Sequence, residues 1–175
     1  KSAGQIPFNF PAKPGSQARD LGMVSGPLFA FGHGLSYTTF AYDALQISPE
    51  RGGAGAEFVV TFKVTNTGRR AGEEIVQLYL RDDYSSVTTY DQALRGFERV
   101  AFAPGESKTV RFTLRPEDLQ LFDRNQHWVV EPGRFTVMVG AASNDIRLKG
   151  NFTVTRPDGT APEEATPKDE RSDPR

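Results

Sequence analysis

The chain has 175 residues, a length that fits one domain with flanking segments. Its 21 Lys and Arg residues against 22 Asp and Glu residues argue against a nucleic-acid-binding protein and against a polybasic membrane-surface protein. The absence of Cys excludes a disulfide framework, a thiolate metal site and a Cys nucleophile, and two His residues argue against a His-based zinc site. We therefore expect no nucleic-acid partner, no membrane partner, no metal and no cofactor.

Residues 1–27 are rich in Pro, Gly, Ser and Ala and show no sustained hydrophobic period. Pro7, Asn9 and Pro11 interrupt any apolar stretch, which argues against a signal peptide. The segment is therefore predicted to be an irregular N-terminal leader or linker. The first residue is Lys1 and not Met, which favours a fragment or a processed product.

Residues 28–155 carry the patterning of β-strands. In Phe58, Val60, Phe62 and Val64, the apolar side chains fall on every second residue, so that all four lie on one face of a strand. The segments 76–80, 110–114, 135–139 and 146–154 have the same alternation. We also predict strands at 41–48, at 94–102 with a bulge near Gly96, and at 127–130.

Turn signals separate these strands. They are Asn66-Thr67-Gly68, Pro104-Gly105 and Pro132-Gly133, and the two Pro-Gly pairs suit turns in which Gly accepts a positive φ. Pro116 begins a short helical turn at 116–119. No helical period is long enough for βαβ crossovers. The fold class is therefore predicted to be all-β, an antiparallel two-sheet sandwich of seven to eight strands.

Residues 156–175 differ from the rest of the chain. Pro157, Pro162, Pro167 and Pro174 stand among charged residues, and the segment holds no Val, Ile, Leu or aromatic residue. Such a segment cannot bury enough apolar surface to offset ordering entropy of about 1–2 kcal/mol per residue. We predict a disordered C-terminal tail.

Two pairs of adjacent carboxylates are the first candidates for chemistry. Glycoside hydrolysis needs two carboxyl groups roughly 5–9.5 Å apart. Glu73-Glu74 and Asp82-Asp83 are neighbours in the chain, and neighbouring strand residues point to opposite faces. We expect Glu73-Glu74 to be solvated and Asp82-Asp83 to cap loop amides, so no catalytic residue is assigned.

A hydroxyl-rich loop and the single Trp are the candidate binding residues. The loop from Asp83 to Asp91 offers hydroxyls and two Tyr rings, groups that hydrogen-bond to sugars and stack on them, although an ordered connection between the strands is the favoured interpretation, with an interface loop as the other alternative. Trp128 suits sugar stacking, but a lone Trp in a sandwich more often packs in or beside the core, which is the favoured position here. The speculative substrate-binding or interface residues are Tyr84, Ser85, Ser86, Thr88, Thr89, Tyr90 and Trp128.

Several motifs in order resemble the C-terminal fibronectin type III-like domain of glycoside hydrolase family 3, together with the linker that precedes it. They are the segments 27–40 (PLFAFGHGLSYTTF), 64–68 (VTNTG), 72–80 (GEEIVQLYL), 85–90 (SSVTTY), 94–100 (LRGFERV), 104–106 (PGE), 128–133 (WVVEPG) and 137–141 (VMVGA). The leader at Ser2–Pro7 also resembles the stretch that leaves the family's α/β sandwich domain. The resemblance runs from Lys1 to about Val154.

The resemblance implies an accessory, scaffolding domain of a retaining β-glucosidase that hydrolyses terminal β-D-glucosyl residues. Its expected partners are an N-terminal TIM-like barrel and an α/β sandwich domain of the parent enzyme, the parent's β-glucoside or oligosaccharide substrate, and a second copy in a homodimer of the parent. The family's catalytic Asp and Glu belong to those other domains, so this chain alone is expected to be inactive. The resemblance also implies a periplasmic or extracellular location.

Two alternatives stay open. A free-standing carbohydrate-binding module predicts an exposed aromatic platform, whereas an adhesion or spacer sandwich predicts a fully polar surface. The parent-enzyme hypothesis instead predicts an exposed apolar patch where the missing domains would lie. Its candidate residues are Phe8, Phe10, Phe29 and Phe31.

Overall fold

The computed structural model of the protein describes residues 29–162. Ten strands and one helical turn follow one another in this range. They are β1 Phe40–Ser48, β2 Arg51–Gly52, β3 Phe58–Asn66, β4 Gly72–Asp82, β5 Ala93–Phe102, β6 Ser107–Leu114, α1 Pro116–Leu119, β7 Leu121–Phe122, β8 Trp128–Val129, β9 Gly133–Ala142 and β10 Asp145–Val154.

The strands form a two-sheet sandwich, as the sequence predicts. One sheet has the order β1-β3-β6, and the other has the order β2-β10-β9-β4-β5. Among the described residues, seven strands have eight or more residues, and the other three have two residues each. The pairings are antiparallel except where β2 runs parallel to β10. Strands β7 and β8 pair only with each other and form a separate hairpin.

The core lies between the two large sheets and is built by the predicted alternation. Phe58, Val60, Phe62 and Val64 are 0–1% exposed, because β3 is the central strand of its sheet and turns one face to the core. The rings of Phe58 and Phe152 stack across the sandwich at a centroid distance of 4.0 Å. Other buried members come from β4, β6, β9 and β10: Val76, Leu78, Leu80, Val110, Leu114, Phe135, Val137, Val139 and Val154.

The predicted turns and the predicted bulge are largely confirmed. Gly105 adopts φ +74°, and the pairing of β4 with β5 shifts register near Gly96. The prediction of a positive-φ turn at Pro132-Gly133 is wrong, because Gly133 is already the first residue of β9. Arg156–Thr160 closes a hydrogen-bonded turn, and residues 163–175 of the predicted tail lie outside the described residues.

Candidate functional site

The loop after β4 and the β7–β8 hairpin form the two walls of a groove of about 460 Å³. We call it the loop–hairpin groove. It brings together four of the residues singled out in the sequence, namely Thr88, Thr89, Tyr90 and Trp128, with the core side chains of Leu80 and Phe135 below them. Residues about forty positions apart in the chain thus share one surface.

The serines of the loop hold its shape and do not line this groove. Ser85 donates its hydroxyl to the carbonyl of Val87 at 2.7 Å. The amide of Ser86 donates to the carboxylate of Glu131 at 2.9 Å, and the Ser86 hydroxyl donates to the other oxygen of the same carboxylate. Glu131 lies just after the hairpin, so these two bonds tie one wall of the groove to the other.

Tyr84 is separated from the other candidate residues. Its side chain is 48% exposed and lies by a neighbouring hollow with Arg81, Asp83 and Arg134. Its backbone amide donates to Asp82 Oδ1 at 3.2 Å, which confirms the prediction that this acidic pair caps a loop amide.

The favoured core position for Trp128 is wrong, because its side chain is 67% exposed. Trp128 is paired with Phe122 in the hairpin, and Leu121 is paired with Val129. Directly paired residues share a face, so that Leu121 turns toward the sandwich at 6% exposure while Trp128 and Phe122 turn to solvent. The two outward rings contact each other at a centroid distance of 5.3 Å.

Asp82 and Asp83 occupy opposite environments. Asp82 continues the inward series of Val76, Leu78 and Leu80, and its Oδ2 is buried with no hydrogen-bond partner among residues 29–162. Burial raises the pKa of Asp82 to about 6, against the hydrogen bond from Tyr84, which lowers it.

Asp83 by contrast is held by several donors on the outer side. Its carboxylate contacts Arg81 Nε at 2.8 Å and Arg134 Nε at 3.5 Å, and it accepts the hydroxyl of Thr136 at 2.9 Å. The carboxyl groups of Asp82 and Asp83 therefore lie on opposite faces of the sheet, as the alternation of strand residues requires.

The start of β4 repeats this division, and here the sequence prediction needs a correction. Glu73 is exposed and pairs with Arg99, but Glu74 is not solvated: it is 8% exposed and accepts the hydroxyl of Tyr42 at 2.7 Å. Burial raises the pKa of Glu74, while the hydrogen bond from Tyr42 and the charge of Arg147 lower it. The alternation with Val76 would have revealed the inward position of Glu74.

Burial also affects the tyrosine that Glu74 contacts. Burial and the hydrogen bond to Glu74 raise the pKa of Tyr42 well above its ordinary value. The guanidinium of Arg147 lies 4.9 Å from the centre of the Tyr42 ring and is also bonded to Asp145 at 2.8 Å. The arrangement is that of a structural cluster, because each of these polar groups has a partner.

The predicted leader, residues 1–27, lies outside the described residues. A third feature is an apolar surface on the segment 29–37 that follows it, which we call the leader face. Phe29 is 63%, Phe31 42%, Leu35 95% and Tyr37 92% exposed. The segment nevertheless has a fixed place, because the amide of Ser143 donates to the carbonyl of Phe31 at 2.9 Å and Gly32, at φ +79°, lies directly over the Gln77 side chain.

The leader face confirms the predicted exposed apolar patch for Phe29 and Phe31, while Phe8 and Phe10 lie outside the described residues. Leu35 and Tyr37 line a hollow of about 920 Å³ together with Glu74 and Arg147. Ile75, which is 49% exposed on β4, borders the same hollow. Exposed apolar side chains grouped in this way are typical of sites that contact another protein or a ligand.

The two buried carboxyls are too far apart to work on one glycosidic bond. Glu74 and Asp82 lie eight residues apart on strand β4, which corresponds to roughly 26 Å at about 3.3 Å per residue. A glycosidase needs its two carboxyl groups roughly 5–9.5 Å apart. Within residues 29–162 there is also no group of three or more acidic or His side chains that could hold a metal ion.

No helix in the described range is long and apolar enough to cross a bilayer.

Residues 74–143 match the family described as fibronectin type III-like domain. The match covers β4 to β9 and therefore includes both walls of the loop–hairpin groove.

The chain is similar to parts of several larger enzymes. It is 41% identical over 153 residues to a β-xylosidase of Formosa agariphila, covering 85% of this chain and 21% of that protein. It is 34% identical over 163 residues to a periplasmic β-glucosidase of Salmonella typhimurium, covering 87% of this chain and 21% of that protein. The chain thus spans about a fifth of the length of the curated relatives that it matches.

Solved structures likewise match this chain over only a part of their own length. The β-glucosidase EmGH1 of Erythrobacter marinus superposes with a TM-score of 0.72 at 39% sequence identity. The superposition covers 77% of this chain and 18% of that one. The similarity in three dimensions therefore concerns one domain of a larger molecule.

Proposed function

We propose that the chain, whose residues 74–143 match the fibronectin type III-like family, serves as the C-terminal accessory domain of a longer, retaining β-glucosidase of glycoside hydrolase family 3. Its role is to support the catalytic domains of that enzyme. The partners of this chain in the hypothesis are the N-terminal TIM-like barrel and the α/β sandwich domain of the same parent enzyme, and the parent itself forms a homodimer. The sandwich described above contributes no catalytic acid.

The leader face is the observation that carries the proposal. Leu35 and Tyr37 are almost fully exposed although the segment that holds them is fixed on the sheet by Ser143 and Gln77. Burying such side chains against another domain gives roughly 1.5–3 kcal/mol each. An accessory domain that docks on its catalytic partners through this face accounts for that exposure, whereas a spacer with a polar surface does not.

The names of the relatives, β-glucosidases and β-xylosidases, support a β-glycoside as the substrate class of the parent. In the parent enzyme, a terminal β-D-glucosyl residue is transferred to a carboxylate and then to water, with two carboxyl groups about 5–5.5 Å apart. Glu74 and Asp82 are roughly 26 Å apart, which supports the assignment of the two catalytic carboxyl groups to the other domains of the parent. A periplasmic or extracellular location of the parent is consistent with the periplasmic relative.

The first test concerns catalysis. The 175-residue chain is incubated with p-nitrophenyl β-glucoside and p-nitrophenyl β-xyloside, and we expect no release of nitrophenol above the buffer blank. Turnover that disappears in Asp82→Asn or Glu74→Gln would overturn the accessory role. The blank and the two variants together separate intrinsic activity from a contaminating enzyme.

The second test concerns docking. The catalytic portion, encoded upstream of Lys1 in the proposed parent gene, is produced separately and mixed with the chain. We expect association, and we expect Leu35→Asp to weaken it by at least about tenfold, since a carboxylate would be buried in an apolar contact. Thr113→Asp, at an exposed position of β6, is the matched control. Equal effects of the two substitutions would contradict docking through the leader face.

A further inference from the structure

The loop–hairpin groove lies apart from the leader face, and the accessory role leaves it unused. Its walls come from the loop after β4 and from the β7–β8 hairpin, whereas the leader face is built around residues 29–37 and the start of β4. The two hollows have no lining residue in common. The proposed docking surface therefore does not account for the exposed Trp128.

The groove is preformed. Ser86 and Glu131 join its two walls, as described above, and Asp123 stabilises the hairpin that carries Trp128. The Asp123 carboxylate accepts the backbone amides of Asn125 and His127 at 2.8 and 2.9 Å, and Gln126 adopts φ +65° at the tip. A groove whose walls are fixed in advance binds a ligand with a smaller loss of conformational entropy.

The lining favours a neutral ligand with one apolar face and many hydroxyls. Trp128 and Phe122 offer an exposed aromatic platform, and Thr88 and Tyr90 offer hydroxyls beside it. Three acidic residues, Asp82, Glu117 and Asp118, and one basic residue, Arg95, line the same groove, which disfavours an anionic ligand. Pockets with an apolar surface and a few directional polar groups are typical small-molecule sites, and about 460 Å³ lies within their usual range.

We infer that the loop–hairpin groove is a saccharide-binding site in which Trp128 stacks on a pyranose ring of a neutral β-linked oligosaccharide. The hydroxyls of Thr88 and Tyr90 and the Arg95 guanidinium bind the sugar hydroxyls. The ligand class rests on the proposed function, because it is taken from the β-glycosides on which the parent acts. The site holds the substrate chain and does not cleave it.

The single Trp of the chain makes a direct test available, because its fluorescence reports on this groove alone. Cellotetraose and xylotetraose are titrated into the 175-residue chain, with glucose as the short comparison. We expect a saturable blue shift of the Trp128 emission with at least one tetrasaccharide, since stacking removes water from the indole. If none of the saccharides produces a saturable shift, the inference is overturned.

Variants then locate the site by isothermal titration calorimetry. Trp128→Ala should lower the affinity at least about 30-fold, and Thr88→Ala, a mild change at an exposed hydroxyl, about three- to tenfold. Phe97→Ala is the matched control, because Phe97 is 69% exposed on β5 and does not line the groove. An equal loss in Phe97→Ala, or none in Trp128→Ala, contradicts the assignment.

These measurements are independent of docking and of turnover. A chain that binds cellotetraose through Trp128 but does not associate with a catalytic portion would refute the accessory role and keep the saccharide site. A chain that docks through Leu35 but shows no tetrasaccharide binding would refute the saccharide site and keep the accessory role.

Discussion

The two ends of β4 carry the same sequence feature in different surroundings. At each end two adjacent carboxyls divide between the faces of the sheet, with Glu73 and Asp83 paired to Arg residues outside and Glu74 and Asp82 turned inward. Burial raises the pKa of both inward groups. Only Glu74 has a side-chain partner, the hydroxyl of Tyr42, whereas Asp82 Oδ2 has none among residues 29–162.

The difference shows that a buried carboxyl takes its role from its neighbours. At the start of β4 the carboxyl satisfies a buried tyrosine, and the pair holds β1 against the other sheet. At the end of β4 the carboxyl has one loop amide at 3.2 Å as its partner and lies in the wall of the loop–hairpin groove. Four substitutions sharpen this comparison.

The largest effect is expected at Glu74. Glu74→Ala removes the acceptor of the Tyr42 hydroxyl, and an unsatisfied buried hydroxyl destabilises the fold by about 2 kcal/mol. Urea denaturation at neutral pH measures the change. Glu74→Gln is the control: it keeps an acceptor oxygen and should stay within roughly 0.5 kcal/mol of the native free energy of unfolding. If both variants lose the same stability, the hydrogen bond is not what matters at this end of β4.

Asp82→Asn should stabilise the protein by about 1–2 kcal/mol at pH 8. The pKa of Asp82 is raised to about 6 in the folded state. The protonated carboxyl therefore contributes fully to the stability of the fold at acidic pH, and this contribution is lost as the pH rises through about 6. An amide has no charge to bury, and its oxygen still accepts the Tyr84 amide. Urea denaturation at pH 4, 6 and 8 should show a gain that disappears at pH 4; a gain independent of pH would point to another cause.

Asp83→Asn should act in the opposite direction, with a loss of about 1 kcal/mol at neutral pH. The substitution weakens the contacts of this side chain with Arg81 and Arg134 and exchanges a charged acceptor of the Thr136 hydroxyl for a neutral one. Thermal unfolding of the two neighbouring variants in the same buffer gives the comparison directly. A shift of the same sign for Asp82→Asn and Asp83→Asn would contradict the division of the pair between the two faces.

The smallest effect is expected at Glu73. Glu73→Gln breaks an exposed ion pair with Arg99, and such pairs contribute less than about 1 kcal/mol. We expect a change below roughly 0.5 kcal/mol, which 0.5 M NaCl reduces further by screening. A larger loss in the urea experiment would mean that the outer carboxyl at this end of β4 is more than a surface group.

Much of the sandwich follows from local rules. The alternation in 58–64, 76–80 and 135–139 predicts both the strands and the side that each turns to the core, because a strand has only two faces. The same rule separates Asp82 from Asp83. The alternation rule also places Glu74 inward. The expectation of a solvated Glu74 is wrong because it was based on the charge of the residue and not on its position in the alternation.

The binding residues are predicted less completely. Composition identifies the loop and Trp128 as candidates, but it places Trp128 in the core, because most tryptophans in sandwiches are buried. The side chain faces solvent because β7 and β8 pair with each other and not with a large sheet. Ser85, Ser86 and Tyr84 are adjacent to groove residues in the chain, yet the loop turns them to Val87, to Glu131 and to a neighbouring hollow.

The sequence by itself determined which side chains build the core and where the chain turns, since alternation and turn chemistry act over a few residues. Only the tertiary structure decided that Thr88, Tyr90 and Trp128 share one groove, that Glu74 meets Tyr42 and that Leu35 is exposed on the leader face. The physical reason is that these contacts join residues from different strands and loops, and their distances depend on how two sheets stack and not on any local pattern.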